Sequence, residues 1–205
     1  MTLVDLAALR QGATRFVGLD RLRGLAIMCM VVDHVCLLAG VYPLRVTVGR
    51  LALPLFMIVG GSLVRELTWR HGGVLVVGLV LPVAVPWIDA PNILVLYVLG
   101  AALVSAFGTG ERMRPGSRFR PAAGVWVLLV LAVGALANGW GDQPGTGYPW
   151  AAVVALMALG ALAGRRQLAG VGDRLPHWLA WPGRHPLSLY VGHLLVLQAL
   201  VVMVS

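Results

Sequence analysis

Arginine falls in every second connection of this chain, and that regularity constrains its fold more than any other feature. Seven apolar stretches, at about 22–41, 48–64, 72–88, 92–107, 122–140, 149–164 and 186–204, are long enough for helices that cross hydrocarbon, several near the short limit. The segment leading into the first holds Arg10, Arg15, Arg21 and Arg23. The second connection holds Arg65 and Arg70, the fourth Arg112, Arg114, Arg118 and Arg120, and the sixth Arg165, Arg166, Arg174 and Arg184. Fourteen of the sixteen basic residues therefore share one side, leaving Arg45 and Arg50 on the other. Basic residues are retained on the cytoplasmic side. The pattern predicts an all-α, polytopic membrane bundle of about seven transmembrane helices, its N-terminus cytoplasmic and its C-terminus outside, in a bacterial inner membrane.

Composition agrees. With 59% hydrophobic and 12% charged residues and a mean hydropathy of +0.86, the chain has more apolar surface than a soluble domain can bury. The net charge of +8 then reads as topology and attraction to anionic lipid, with no nucleic-acid partner. We expect one membrane domain over 1–205, with an interfacial segment at 1–21, a Gly/Arg-rich cytoplasmic loop at 108–120 and an interfacial helix at 174–185 that carries Trp178 and Trp181. Asp5, Arg10 and Arg15 interrupt the opening residues, which argues against a cleavable signal. Gly60 and Gly61 permit a close helix contact in the second span, and Pro82 and Pro86 kink or end the third. Cys29 and Cys36 lie about 10 Å apart along one helix, too far for a disulfide, so they read as packing residues.

Against this background the polar groups inside the spans stand out, because an ionisable group in hydrocarbon costs about 2.5–3.5 kcal/mol on insertion scales. The first span carries Arg23 at its cytoplasmic end and Asp33-His34 deep inside. Arg23 and His34 are eleven residues apart, three turns plus about 20°, so they share a face over about 16 Å, with Ile27 and Met30 between them. An anion-binding group at the membrane surface is thus aligned with a proton-transfer group in the interior. Asp33 points about 100° away, to orient a neighbouring group, pair with an arginine such as Arg50, or fix a histidine tautomer on another helix. Arg50 opens the second span from the outer side, as an interfacial cation or an oxyanion partner near His34. The last span holds Ser188, Tyr190 and His193. His193 lies at a depth similar to His34, so the first, second and last spans are expected to meet around His34, Arg50 and His193. Asp89, Asn92 and Asp142 lie on the outer side, while His71 and His177 read as incidental. No CxxC, HExxH, phosphate-loop or dinucleotide signature occurs, and no metal is expected.

These residues resemble a known superfamily. Leu19-Asp20-Arg21-Leu22-Arg23-Gly24-Leu25-Ala26, running on to His34, is similar to the opening of membrane acyltransferase-3 proteins, which place a catalytic histidine at this distance after an arginine. Met30 to Val35, with Asp33-His34, and Gly49-Arg50-Leu51-Ala52-Leu53-Pro54-Leu55-Phe56 resemble signatures of the TraX-like branch, as does Asn92-Ile93-Leu94. Gly183 to His193 is similar to the closing helix of heparan-glucosaminide-acetyltransferase-like proteins. The resemblance covers the first 65 residues well, the last 20 fairly and the middle poorly. Typical acyltransferase-3 proteins have about ten spans, so seven fit the small TraX-like type.

The resemblance implies transfer of an acyl group, acetyl by expectation, from cytoplasmic acyl-CoA to a hydroxyl or amine. On that reading His34 is the general base with Asp33 beside it, and Arg23, Arg50 and Arg70 bind the acyl donor. Met30, Asn92, Tyr190 and His193 line the pocket. Acyl-CoA is a co-substrate. The acceptor is a small molecule, lipid, sugar or peptide, membrane lipids are partners, and a homo-oligomer is compatible with the pattern. Physical chemistry agrees: guanidinium forks suit phosphates at the membrane surface, and an imidazole suits the proton of the attacking group. Two alternatives remain at this stage: a proton-coupled small-molecule transporter, and a non-catalytic membrane subunit.

Overall fold

Glycine sets how closely the helices of this chain approach one another. In the computed structural model, which describes residues 16–64, 68–85, 93–108 and 150–204 together with 125, 128, 129, 132 and 133, every element is helical. We number the α-helices α1 (Val17–Leu38), α2 (Tyr42–Thr47), α3 (Ala52–Leu63), α4 (Trp69–Ala84), α5 (Ile93–Gly108), α6 (Trp150–Gly172), α7 (Ala180–Arg184) and α8 (Pro186–Val204). Short 3-10 turns at Gly49–Leu51 and His177–Leu179 lead into α3 and α7. Most of the expected span at 122–140, most of the loop at 108–120, and Asp89, Asn92 and Asp142 lie outside the described residues.

Local chemistry sets the element boundaries. α1 ends where Gly40 takes a left-handed φ of 70° and the Val41 N–H donates back to the Cys36 carbonyl at 2.9 Å, a Schellman closure. α4 starts at a capping box in which Thr68 and His71 bond each other. Pro82 falls in its last turn, and the helix stops at Ala84. α6 is interrupted at Gly164, whose φ of 74° and ψ of 161° no helix accommodates. That break falls at the boundary expected for the sixth span. α1 begins at Val17, so residues 17–21, expected as part of an interfacial segment, are continuous with the first long helix. The surface helix expected over 174–185 is a 3-10 turn followed by the short α7, with Trp178 and Trp181 exposed.

α3 and α6 cross at Gly61 and Gly160. A methyl group on Gly61 would land on the Met157 carbonyl, and one on Gly160 on the Ile58 carbonyl, so each backbone sits against the other with no side chain between. The two helices run the same way: Arg165, further along α6, donates to the carbonyls of Ser62 and Leu63 that end α3, at 3.2 and 2.9 Å. α1 and α7 repeat the device. Gly24 meets the Leu179 carbonyl and Gly183 meets the Asp20 carbonyl.

Three apolar clusters fill the spaces. One joins Leu53 and Met57 of α3 to Val153, Met157 and Ala158 of α6 and to α5. A second joins Ile27, Cys29 and Met30 of α1 to Ala52, Leu81, Val85, Tyr190 and Leu194. A third packs Leu19, Leu22, Val59 and Ala169. Other large apolar side chains face outward, notably Val76, Leu79, Val80 and Val83 of α4 and Val196, Leu200, Val202 and Met203 of α8. Among the described residues, three stretches are long and apolar enough to cross a membrane: Tyr42–Leu63, Trp150–Gly172 and Pro186–Met203. α4 and α5 are shorter, with 16 residues each. α1, at 22 residues, has the length but carries Asp20, Arg21, Arg23 and Asp33.

Candidate functional site

The site begins at the α1–α7 crossing. Asp20 is buried there, with Arg23 at 3.7 Å and Arg184 at 3.8 Å from its carboxylate oxygens. Arg21 donates to the carbonyls of Asp173 and Leu175, at 2.9 and 3.1 Å, and ties the start of α1 to the chain that follows α6. Four of the arginines assigned to topology (Arg21, Arg23, Arg165 and Arg184) therefore also hold the bundle together at this end. The packing of Gly24 on Leu179 and of Gly183 on Asp20 brings the two resemblance motifs into direct contact.

From that crossing α1 and α8 run side by side. His34 lies ten residues beyond Gly24, and His193 ten residues beyond Gly183. The first path is one unbroken helix of about 15 Å, the second bends at His185 between α7 and α8, and both bring an imidazole to the same level. They meet there: Nδ1 of His34 lies 2.8 Å from Nε2 of His193, with ring centroids 5.1 Å apart and planes inclined by 13°. Nδ1 of His193 lies 2.8 Å from the Leu189 carbonyl, and Tyr190 packs edge-on against the His193 ring at 5.9 Å. Of the expected meeting of His34, Arg50 and His193, the two histidines are together, and Tyr190 and Met30 are buried beside them.

Asp33 faces elsewhere. Its carboxylate pairs with Arg45 at 3.5 Å, and Gly49 packs closely against it. The arginine is thus Arg45 and not the Arg50 that spacing suggested. The short α2 turns Arg45 back toward α1, while Arg50 sits exposed on the 3-10 turn. Sequence analysis passed over Arg45 because it reads as a loop residue. Asp33 therefore pairs with Arg45, and His193 is hydrogen-bonded to the His34 ring.

The other expected residues divide. Arg70 stacks over Trp69, its centre 5.9 Å from the ring, on the exposed first turn of α4. His71, expected to be incidental, both caps α4 and stacks on Tyr97 at 6.3 Å. Tyr97, which sequence analysis also missed, lies against Gly60. Asn92 lies outside the described residues. The face joining Arg23 to His34 is not an open path, because Met30 is packed into the core and Ile27, almost fully buried, only borders the neighbouring cavity. The open path is one helix step away. A cavity of about 610 Å³ runs between α1 and α8, along Met28, Val31 and Val35, with Trp178 and Trp181 at one end and His193 in its wall. Among the described residues no three His, Cys, Asp or Glu side chains converge as metal ligands do.

No protein-family model, no curated protein and no solved structure matches the chain.

Proposed function

We propose that the protein is a membrane-embedded acyltransferase of TraX-like or acyltransferase-3 type. It moves an acyl group, acetyl in the simplest case, from cytoplasmic acyl-CoA to a hydroxyl or amine. The observation that carries this reading is the His34–His193 hydrogen bond, set ten residues deep from a crossing rich in arginine and beside an apolar cavity. In this reading the chain crosses the inner membrane seven times, with the Arg23 end cytoplasmic. The phosphates of the donor stay among Arg23 and neighbouring arginines, where charge-assisted hydrogen bonds hold them. The cavity takes the extended arm of the donor, so that the thioester reaches the histidines. His34 accepts the proton of the attacking hydroxyl or amine. Arg45, ion-paired to the Asp33 that adjoins His34, takes the place of Arg50 as the candidate partner for the developing oxyanion.

The same histidine pair, with Asp33 and Arg45 nearby, also favours a second reading, a proton-coupled transporter. One experiment separates them. The purified protein in lipid nanodiscs is given radiolabelled acetyl-CoA with total membrane lipid and cell extract, alongside His34→Ala. We expect labelled product from the native chain and a loss of about 10²–10⁴-fold in the folded variant, the usual cost of removing a general base. Near-normal transfer by folded His34→Ala overturns the assignment. Proton flux through proteoliposomes without acyl-CoA, and no labelled product, selects the transporter.

A further inference from the structure

The hydrogen bonds around the two histidines decide where their protons lie. The Leu189 carbonyl can only accept, so His193 donates to it from Nδ1, across 2.8 Å. A neutral His193 then carries its lone pair on Nε2. That nitrogen is 2.8 Å from Nδ1 of His34, so His34 must donate there from Nδ1. Other neutral arrangements set two N–H groups, or two lone pairs, against each other at one of these contacts. The one consistent assignment puts the lone pair of neutral His34 on Nε2.

We propose that His193 is a positioning residue that holds His34 in this tautomer and ring plane, making Nε2 of His34 the atom that takes the proton. The proposal rests on the acyl-transfer reading for its chemistry and on geometry alone for the tautomer. Position supports it: the ring of His193 is fixed on three sides, by the Leu189 carbonyl, the edge of Tyr190 and the near-parallel ring of His34. A serine-protease histidine is oriented by a carboxylate. Here Asp33 is committed to Arg45, and the orienting acceptor is a second, neutral imidazole.

The step balances. The acceptor's O–H or N–H proton passes to Nε2 of His34 as the acceptor atom bonds the acyl carbon. The imidazolium keeps its Nδ1–H on Nε2 of His193, where the hydrogen bond strengthens because the donor is now charged. The thioester C–S bond breaks, the electron pair leaves with the CoA sulfur, and that thiolate takes the proton back from Nε2 of His34. Both histidines end as they began.

The test needs no substrate for its first half. In protein labelled with ¹⁵N-histidine and held in nanodiscs, we expect His34 and His193 both protonated on Nδ1, with a coupling across the His34–His193 hydrogen bond. His193→Phe keeps a ring but removes the acceptor. It should release the His34 proton to Nε2 and lower kcat by about 10²–10⁴-fold, because a base protonated on the wrong nitrogen cannot take the acceptor's proton. His193→Gln restores an acceptor oxygen near the former Nε2 and should recover the Nδ1–H tautomer and at least half of the logarithmic loss. Finding His34 protonated on Nε2 in the native protein overturns the proposal, as does a His193→Phe protein with native tautomer and native kcat. The stated tautomers in a protein with no acyl transfer leave the positioning intact and remove only the proposed reaction.

Discussion

Replacing Gly24 by alanine should loosen the molecule at the point from which both histidines are positioned. Alanine would gain about 1 kcal/mol of helix propensity in the interior of α1. Its methyl group, however, would strike the Leu179 carbonyl oxygen, with the carbonyl carbon 2.8 Å and the Cα 3.2 Å away, whereas ordinary contact begins near 3.4 Å. The obstacle is backbone, so no rotamer change relieves it and α7 has to move. Overpacking of this kind costs about 1–3 kcal/mol, and the rigid obstacle places Gly24 at the upper end. The net loss is about 2 kcal/mol. In a chain of this size that is about 4–8 °C in melting temperature. Gly73→Ala is the control: it lies in α4 with open space where its methyl would be, so it should gain about 1 kcal/mol. The chain supplies its own probe. Cys29 and Cys36 are 4% and 6% exposed, so a thiol-sensitive fluorophore should label them in detergent only as the bundle opens. A Gly24→Ala protein that melts with or above Gly73→Ala would show that α1 and α7 are not in backbone contact. The wedge has a second consequence. α7 leads directly into α8, so displacing it moves His193 away from His34 and should abolish the ¹⁵N coupling between them.

Two further outcomes follow from the arginines. Arg165→Gln removes the charged donors from the last carbonyls of α3, and because Arg165 is only partly buried the loss should be near the low end of a charged hydrogen bond, about 1.5–2 kcal/mol; an unchanged melting curve would mean that solvent replaces those bonds fully. Arg23→Gln should weaken acetyl-CoA binding roughly tenfold in equilibrium titrations while leaving the histidine tautomers unchanged, with Arg23→Lys only partly restoring it. Unaltered affinity in Arg23→Gln would move the donor site to other arginines at that end.

Much of this arrangement is written in short-range chemistry. Apolar length points to helices, because only helices satisfy their own backbone in hydrocarbon, and every described element is helical. Arg23, Asp33, His34 and His193 were legible because a polar group in an apolar stretch is costly and therefore rarely accidental. Even the meeting of the histidines left a trace: Gly24 to His34 and Gly183 to His193 are both ten residues, a spacing that matters once the two glycines are known to cross. The crossing itself is what sequence could not supply. Which glycine faces which carbonyl depends on how two helix surfaces dock, and residues 159 positions apart carry no local signal of it. For the same reason Asp33 found Arg45 and not Arg50: α2 folds a residue that reads as loop back onto α1, and an ion pair forms with whichever cation arrives at 3.5 Å. The open path beside Met28, Val31 and Val35, one helix step from the Arg23–His34 face, is likewise a tertiary decision. Periodicity defines a stripe on a helix, and only packing determines whether that stripe is covered by Tyr190 and Leu194 or left as a cavity wall.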